Sequence, residues 1–515
     1  MIKKSEYHDS VTLMLVAREL SNFSGVSDTA VVMGTEANKG LLRNANLLTP
    51  EAEAASPNDL VIAVNGNPEA LAAALDEAEK LLKKKQADSS SPEFHPKTLR
   101  GALRSNPGAN VAVISVAGRY AAGEAWEALR SGLHVLLFSD NVSLEDEIAL
   151  KQFAASQGLL LMGPGAGTAI LNGVALGFAN AVPAGPVGIV SAAGTGLQEV
   201  STLLARYGVG ISQGIGTGGR DLHYEVGGIM MLAGMQALQA DPATQVIVLV
   251  SKPPAEIVAH KVLAQAAAGS KPVVVCFLGA GKGGQQAVKG TGQTPVYLAR
   301  TLEEAAILGA KAAQPAGSPQ PAALKGAQLP DALRTSFSAS QRYLRGLFSG
   351  GTLCYEAQVI WRDLLPGPVW SNAPLDPDNC LPDSNQSLGN TAVDLGEEEF
   401  TVGRPHPMID NDLRIRRLHQ EGRDPEVAVI MFDVVLGYGA HPDPAAELGP
   451  AVREVCQHAR ENGRDLIMIA SITGTSGDPQ NLARQVQELE AAGVVVCPSN
   501  AAAARLAAQT IANLI

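Results

Sequence analysis

The sequence predicts an α/β protein made of several parallel-sheet domains, and three observations support this. Short apolar runs alternate with segments of helical periodicity, and most of the runs end at glycine-rich turns. The chain is 46% hydrophobic, 17% charged and 4% aromatic, with alanine, glycine and valine dominant. Small side chains suit helices packed closely on both faces of a parallel sheet. At 515 residues the chain has room for about three or four such domains.

Residues 1–181 are predicted to be an N-terminal α/β region that ends in a Rossmann-like domain. A helix begins at Asp9 or Ser10, and the first strand is Thr29–Met33. Ser143 is predicted to cap a helix, because three acidic residues follow it in the first turn. The elements expected after residue 109 are strand Asn110–Val116, helix Ala122–Ser131, strand His134–Phe138, helix Ser143–Ala155 and strand Leu159–Met162.

Two further α/β domains are predicted, one on each side of a linker. The second domain covers residues 182–313, and strands Gln245–Val250 and Pro272–Phe277 lie in it. Residues 314–340 are rich in proline, alanine and glycine and are predicted to be the linker. Residues 341–515 alternate strand and helix again, so the two domains are expected to share one architecture. The elements expected at the end of the chain are Val427–Val435, Ala446–Asn462, Leu466–Ser471, Leu482–Ala492, Val494–Cys497 and Ala501–Leu514.

Two glycine turns are the strongest candidates for a functional site. In the first, an apolar strand passes through small residues into a helix, which leaves unpaired N–H groups at the helix start. Such a start binds phosphate, and glycine lets the backbone approach the anion closely. The second turn also follows an apolar strand, and the two turns are expected to face each other. The predicted phosphate-binding residues are Ser191, Gly194, Thr195 and Gly196 in the first turn and Gly437, Tyr438 and Gly439 in the second. Tight βα turns without a ligand remain the alternative.

Three weaker segments are predicted to bind substrate. Ser349, Gly350, Gly351 and Thr352 form a third strand-to-helix turn that resembles an anion site. Gly218, Gly219 and Arg220 lie in another glycine-rich turn, for which a surface loop is the alternative. His406 lies between two prolines in a rigid loop with Arg404 and Asp410. The nine histidines show no metal-ligand spacing, so no metal is expected, and no catalytic residue can be assigned.

Charge and cysteine usage exclude several classes of protein. A net charge of −12 argues against a nucleic-acid partner. The five cysteines are scattered without a Cys-x-x-Cys pair, which indicates reduced thiols in a cytosol. No apolar run is long enough to cross a bilayer, so no membrane association is expected. The sequence therefore predicts a cytoplasmic protein.

Particular segments resemble succinyl-CoA synthetase. "LHVLLFSDNVSLEDEIALKQFAASQGLLLMGPGAGTAILNG" is similar to the end of the CoA-binding domain of its α subunit, and "VGIVSAAGTGLQE", "GIGTGGRD" and "KPVVVCFLGAG" are similar to the ligase domain of that subunit. Residues 390–515 resemble the flavodoxin-like C-terminal domain of the β subunit, with "DPEVAVIMFDVVLGYGAHPDP" in the place of its phosphate-binding turn. With "MGTEANKG", "RGLFSGGTLCYEA" and "GRPHPMID", nearly the whole chain resembles the FdrA family. That family is described both as acyl-CoA synthetase-like and as a subunit of oxamate carbamoyltransferase.

The chain departs from succinyl-CoA synthetase at the residues that carry its chemistry. The resemblance places a phosphorylated histidine after the strand Pro272–Phe277, but no histidine lies between His260 and His406. The acidic residue that would hold the imidazole is replaced by the segment from Ser251 to Pro254. The N-terminal glycine fingerprint for CoA and an ATP-grasp segment are also missing. What the resemblance retains is the helix starts that bind phosphate.

The leading hypothesis is therefore a carbamoyltransferase subunit that converts oxalurate and phosphate into oxamate and carbamoyl phosphate. Positioning and electrostatics can drive such a transfer without a protein nucleophile. The first alternative is an ADP- or GDP-forming acyl-CoA ligase, and the second is a non-catalytic scaffold subunit. The resemblance implies an oligomer with other subunits of an FdrA-type complex, and a small carbamoyl or acyl substrate. Phosphate is expected as a substrate, and CoA or a nucleotide remains open.

Overall fold

The computed structural model describes residues 1–514 except 7, 9, 22, 46, 89–95, 280–293, 315–323, 325–336 and 402–404. Most of the predicted linker, the loop that follows Gly279, and Arg404 lie outside these described residues. The chain forms two compact units. The first is Met1–Gly108 with Glu397–His406, and the second is Ala109–Gly396 with Pro407–Ile515. The domain boundaries at residues 181, 313 and 340 stay predictions.

The first unit is built on a small antiparallel sheet rather than a parallel one. Its elements are β1 (Ile2–Lys3), α1 (Ser10–Ser21), β2 (Val26–Met33), α2 (Glu36–Asn44), α3 (Pro50–Glu53), β3 (Leu60–Gly66), α4 (Pro68–Asp88) and α5 (Leu99–Ser105). The strand order is β1-β3-β2, with both pairs antiparallel. Ala74, Ala78 and Leu82 recur at four-residue spacing on α4 and join the core against Leu60 and Ile62.

The second unit begins with a three-stranded parallel sheet in the order β4-β5-β6. Its elements are β4 (Val111–Ile114), α6 (Gly118–Arg130), β5 (His134–Leu137), α7 (Leu144–Ser156) and β6 (Leu161–Met162). The predicted cap of α7 is confirmed, since Ser143 Oγ accepts the N–H of Asp146 at 3.1 Å.

Removing this cap is expected to lower the free energy of unfolding modestly. Ser143→Ala leaves one N–H of the first turn of α7 without its acceptor, which costs about 1 kcal/mol. Ser143→Thr retains the hydroxyl and is expected to stay close to the wild type. Urea denaturation of the three proteins checks this, and an unchanged Ser143→Ala midpoint would show that water replaces the cap without cost.

The first half of the large core is a seven-stranded sheet in the order β13-β12-β11-β9-β10-β7-β8. Strands β9 to β13 are parallel, and the hairpin β7–β8 extends the sheet antiparallel. The elements of this half are β7 (Thr168–Leu171), β8 (Val174–Gly177), β9 (Ala184–Ser191), α8 (Gly194–Arg206), β10 (Ile211–Gly216), α9 (Ile229–Ala240), β11 (Val246–Ser251), α10 (Glu256–Ala268), β12 (Val273–Phe277), β13 (Val296–Leu298) and α11 (Leu302–Ala313).

The second half is a six-stranded parallel sheet in the order β15-β16-β14-β17-β18-β19. Its elements are β14 (Tyr343–Phe348), α12 (Gly351–Leu364), β15 (Val369–Ser371), β16 (Asn390–Asp394), α14 (Asp412–Arg423), β17 (Val427–Val435), α15 (Pro444–Glu461), β18 (Ile467–Thr473), α16 (Leu482–Ala491), β19 (Val494–Cys497) and α17 (Asn500–Ala512). The short helix α13 (Glu398–Thr401) belongs to the first unit.

The two halves have the same topology. Strands β10-β9-β11-β12-β13 and strands β16-β14-β17-β18-β19 both follow the flavodoxin-like order 2-1-3-4-5. In each half the first strand leads through a glycine turn into a helix, α8 or α12. Residues from both sheets and from α8, α11, α12 and α17 belong to one buried apolar cluster. The predicted α/β fold class is confirmed.

Candidate functional site

The first half presents an uncapped helix start at its glycine turn. Ser191, at the end of β9, holds the turn closed, because its Oγ donates to Ala193 O at 2.7 Å and accepts Ala193 N–H at 3.1 Å. Ala193 provides no side-chain cap for α8. The first backbone bond of the helix runs from Leu197 N to Ala193 O. The N–H groups of Gly194, Thr195 and Gly196 therefore precede the helical bonding pattern, as at every helix start.

The second half has an equivalent start after β14. The buried Asp433 on β17 fixes it by accepting Ser349 N–H at 2.7 Å, Ser349 Oγ–H at 2.9 Å and Gly350 N–H at 2.9 Å. Gly350 precedes α12 and has no side chain to cap it. Cys354 N bonds to Gly350 O, so the first three N–H groups of α12 likewise precede the helical bonding pattern.

These two helix starts meet each other. A Cβ atom added to Gly350 would lie 2.8 Å from Thr195 Cγ2, and one added to Gly196 would lie 3.0 Å from Thr352 Cγ2. Glycine at both positions is therefore what allows the turns to approach so closely. Because each helix start carries a partial positive charge, two starts at one point favour an anion such as phosphate.

Two charged side chains lie at the start of α12. An ideal Cβ position on Gly351 is 2.3 Å from Asp394 Oδ2 and 3.4 Å from Lys252 Nζ. Lys252 follows β11 and is half-buried, with its Nζ 6.0 Å from the centroid of the Tyr355 ring. The buried Cys354 is also close, but burial and then the charge of Asp394 raise the pKa of its thiol well above its usual value. The start of α12 therefore has one cationic and one anionic side chain beside it, and a protonated thiol, which is a poor nucleophile.

At the second predicted turn, Gly437–Gly439, two N–H groups are already bonded, and its pairing with the first turn stays a prediction. Gly437 N–H donates to Gln480 Oε1 at 3.0 Å, and Tyr438 N–H donates to Ala179 O at 2.8 Å. No helix starts at this turn, since α15 begins at Pro444. Tyr438 instead lines a cavity of about 720 Å³ together with Arg206, the last residue of α8. This end of a helix carries the negative end of its dipole and does not favour an anion.

The other residues predicted to bind substrate are Gly218, Gly219, Arg220 and His406. Thr217 N–H donates to Ser191 O, which places the Gly218 turn at the same edge of the sheet. Arg220, however, pairs with Glu147 at 2.8 Å and donates to Val142 O. Glu147 and Asp221 also flank the buried Lys151 Nζ, at 2.8 and 2.9 Å. Gly218 and Gly219 directly precede Arg220 in the chain. Because Arg220 is held in this ion-pair cluster, the structure indicates a structural role for it. His406 belongs to the first unit.

Sequence reasoning missed three of the charged groups at this site. Asp433 interrupts an otherwise apolar buried strand, which is a signal for a buried hydrogen-bond partner. Asp394 ends β16, and Lys252 follows β11, so both lie at carboxyl ends of strands, where ligands bind in such sheets.

Among the described residues, no group of three or more histidine, cysteine, aspartate or glutamate side chains is arranged to hold a metal ion. Within that same part of the chain, no helix is both long and apolar enough to cross a membrane.

Three protein families match parts of the chain. Residues 1–96 match the family "AllF, heavy metal-associated domain", residues 184–279 match "CoA binding domain", and residues 347–510 match "CoA-ligase". The last two matches include the helix starts of α8 and α12. Residues 1–96 contain no cysteine, since the first cysteine of the chain is Cys276.

Related proteins match this chain over different parts of its length. The Escherichia coli protein named "Uncharacterized protein YahF" is 46% identical over 99% of this chain and 98% of its own length. The succinate–CoA ligase α subunit of Methanothermobacter thermautotrophicus is 27% identical over 28% of this chain. The sulfoacetate–CoA ligase subunit SauD of Bilophila wadsworthia is 26% identical over 31%. The matched regions span 48% and 55% of these two subunits.

A solved structure resembles the chain more distantly. The acetyl-coenzyme A synthetase 1 of Ca. Korarchaeum cryptofilum, in complex with phosphate and ADP, is 17% identical with a TM-score of 0.31. The comparison covers 79% of this chain and 83% of that one. Similarity at this level supports no conclusion about function.

Proposed function

This chain belongs to the same family as YahF, an FdrA-like family of the acyl-CoA synthetase type, and we propose that it acts as an acyl-CoA ligase that holds phosphate or an acyl phosphate between the starts of α8 and α12. The observation that supports this proposal is the close approach of Thr195 and Gly350, which brings the starts of α8 and α12 next to each other. Lys252 supplies a positive side chain there.

The thioester-forming step requires no histidine relay at this site. A thiol attacks the carbonyl carbon of an acyl phosphate, the C–S bond forms, the bond from that carbon to the phosphate oxygen breaks, and the phosphate leaves with the electron pair and takes up the thiol proton. The helix starts and Lys252 stabilise the negative charge that develops on the departing phosphate. This direct transfer agrees with the absence of histidine between His260 and His406.

Carbamoyl transfer is the second candidate, and the same missing histidine favours it. An oxygen of phosphate bound at the helix starts would form a bond to the carbamoyl carbon of oxalurate, and oxamate would leave with the electron pair of the broken C–N bond and take up the proton that phosphate loses. Such a reaction uses the anion site in the same way and needs no CoA. Both candidates therefore predict phosphate binding, and they differ in the partner of the acyl group.

One set of assays separates these functions. The full chain is incubated with CoA and acetyl phosphate, or with CoA, carbamoyl phosphate and oxamate, and loss of free thiol, release of phosphate and formation of oxalurate are followed. Equal loss of thiol and gain of phosphate is the expected result for the ligase. Oxalurate formed from carbamoyl phosphate and oxamate, without loss of thiol, would instead support carbamoyl transfer. Neither reaction, together with no phosphate binding by calorimetry, would favour a scaffold subunit.

Removing the positive charge of Lys252 is expected to weaken phosphate binding about tenfold. A hydrogen bond to a charged group is worth about 1.5–3 kcal/mol, and partial exposure of the side chain reduces this. Calorimetric titration of Lys252→Met with inorganic phosphate measures the effect. Lys261→Met, which changes an exposed lysine on α10, is the matched control and is expected to bind like the wild type. Equal affinities of the two variants would exclude Lys252 from the site.

A further inference from the structure

The equivalent helices of the two halves carry a buried glutamate at the same position. Glu199 is the sixth residue of α8, and Glu356 is the sixth residue of α12. Their exposed fractions are 2% and 1%. Burying carboxylates is costly unless hydrogen bonds compensate. The partners of these two glutamates therefore indicate what their burial achieves.

Each glutamate accepts a hydrogen bond from the last helix of the opposite half. Glu199 Oε1 accepts the N–H of Asn500, the first residue of α17, at 3.0 Å, and its other oxygen accepts the hydroxyl of Thr473. Glu356 Oε1 accepts the N–H of Leu302, the first residue of α11, at 2.6 Å. The two contacts are reciprocal, since each half provides one carboxylate and one helix start.

Asn500 connects the two glutamates directly. While its backbone N–H binds Glu199, its side-chain Nδ2 donates to Glu356 Oε2 at 2.8 Å and to Leu353 O at 3.0 Å. Leu353 is the third residue of α12 and lies in the same helix start that faces Thr195. The glutamates lie about five residues, or roughly 7 Å, beyond the first residue of each helix. Displacement of either glutamate would therefore be transmitted to the anion site.

We infer that Glu199 and Glu356 are positioning residues that hold the starts of α8 and α12 face to face by binding the opposite half. This inference rests on the proposed function, because it concerns the geometry of the same anion site. The partners of the two carboxylates are Leu302, Thr473 and Asn500, so each glutamate acts through the helix that carries it. Loss of either contact is expected to weaken anion binding more than loss of an ordinary contact between the halves.

The two glutamates are expected to differ in their response to glutamine. In Glu199→Gln the amide oxygen still accepts Asn500 N–H, and the Thr473 hydroxyl can turn to accept from the amide nitrogen. In Glu356→Gln the amide nitrogen faces Asn500 Nδ2, so two donors oppose each other. Glu199→Gln is therefore expected to bind sulfate within about twofold of the wild type, whereas Glu199→Ala and Glu356→Ala bind about tenfold more weakly. Glu356→Gln should resemble Glu356→Ala.

Glu303→Gln is the matched control, because Glu303 also connects the halves. It binds Ser499 Oγ and pairs with Arg505, but it lies on α11 and not on a helix that faces the anion site. This variant is expected to unfold at a lower temperature and to retain wild-type affinity for sulfate. If both alanine variants are destabilised but bind sulfate like Glu303→Gln, the glutamates are merely structural and the inference is wrong.

Hydrogen exchange distinguishes a failure of this inference from a failure of the proposed function. In Glu199→Ala and Glu356→Ala, amides of peptides that span 194–200 and 351–357 are expected to exchange at least tenfold faster than in Glu303→Gln. If wild-type protein binds no sulfate or phosphate but this exchange pattern appears, the proposed function fails while the positioning role stands. Unchanged exchange in both alanine variants would overturn the positioning role whatever the anion data show.

Discussion

Gly350→Val is expected to abolish phosphate binding, with affinity lower by roughly 100-fold or more. A Cβ atom at this position would lie 2.8 Å from Thr195 Cγ2 and 2.9 Å from Thr195 Oγ1, so the two helix starts must move apart. The backbone of Gly350 has φ −109° and ψ 111°, which valine adopts without strain. The effect therefore comes from the contact between the two halves and not from a special requirement of the turn.

Two further changes test this explanation of Gly350→Val: one removes the side chain that the added Cβ would meet, and the other adds a Cβ where there is open space. All three of the nearest atoms to the added Cβ belong to Thr195, so Gly350→Ala combined with Thr195→Gly is expected to recover binding that Gly350→Ala alone loses. Gly219→Ala is the neutral control, because a Cβ there meets no atom within 4 Å. Calorimetry with phosphate and circular dichroism are recorded for each protein. A folded Gly350→Val protein with wild-type affinity would show that the anion does not bind between these turns.

Regular elements could be predicted from the sequence where apolar runs are long and bounded by turns. Strands Val427–Val435 and Val494–Cys497 agree with β17 and β19, because buried parallel strands have continuous apolar sequences. The antiparallel sheet of the first unit was not predicted. A short strand followed by a helical segment is compatible with either direction, and pairing depends on contacts distant in sequence.

The partner of the first glycine turn could not be read from local sequence. Gly437-Tyr438-Gly439 shares its glycine spacing with Gly194-Thr195-Gly196, which suggested that the two turns were equivalent. Strand order shows a different equivalence, in which β14 and α12 correspond to β9 and α8, while β17 corresponds to β11. The Ser349–Thr352 turn is therefore the true counterpart, and recognising it requires the topology of both sheets.

The free energy of unfolding is expected to fall as the pH rises from about 5 to 8, because of Glu356. Burial above all, with the nearby charge of Glu199, raises the pKa of the Glu356 carboxyl from 4.5 to about 8, while hydrogen bonds from Asn500 and Leu302 act in the opposite direction. The native protein thus retains a proton that the unfolded chain releases above its ordinary pKa. The contribution of Glu356 to the free energy of unfolding is complete below the ordinary pKa of the unfolded chain. It is lost as the pH rises to the raised pKa of the native protein. The loss is on the order of 5 kcal/mol at most, at 1.36 kcal/mol per unit.

Glu356→Gln isolates this contribution from the rest of the protein. Glutamine does not titrate, so the difference in unfolding free energy between wild type and variant is expected to change across this range, in favour of the wild type at low pH. Burial lowers the pKa of His134, but this residue is present in both proteins and cancels in the difference, whereas Glu199 interacts with Glu356 and contributes to it. Urea denaturation at pH 5, 6, 7 and 8 provides the curves. A difference that stays constant with pH would mean that the hydrogen bonds from Asn500 and Leu302 outweigh burial and keep Glu356 ionised, with Asn500 then holding a true carboxylate between the two halves.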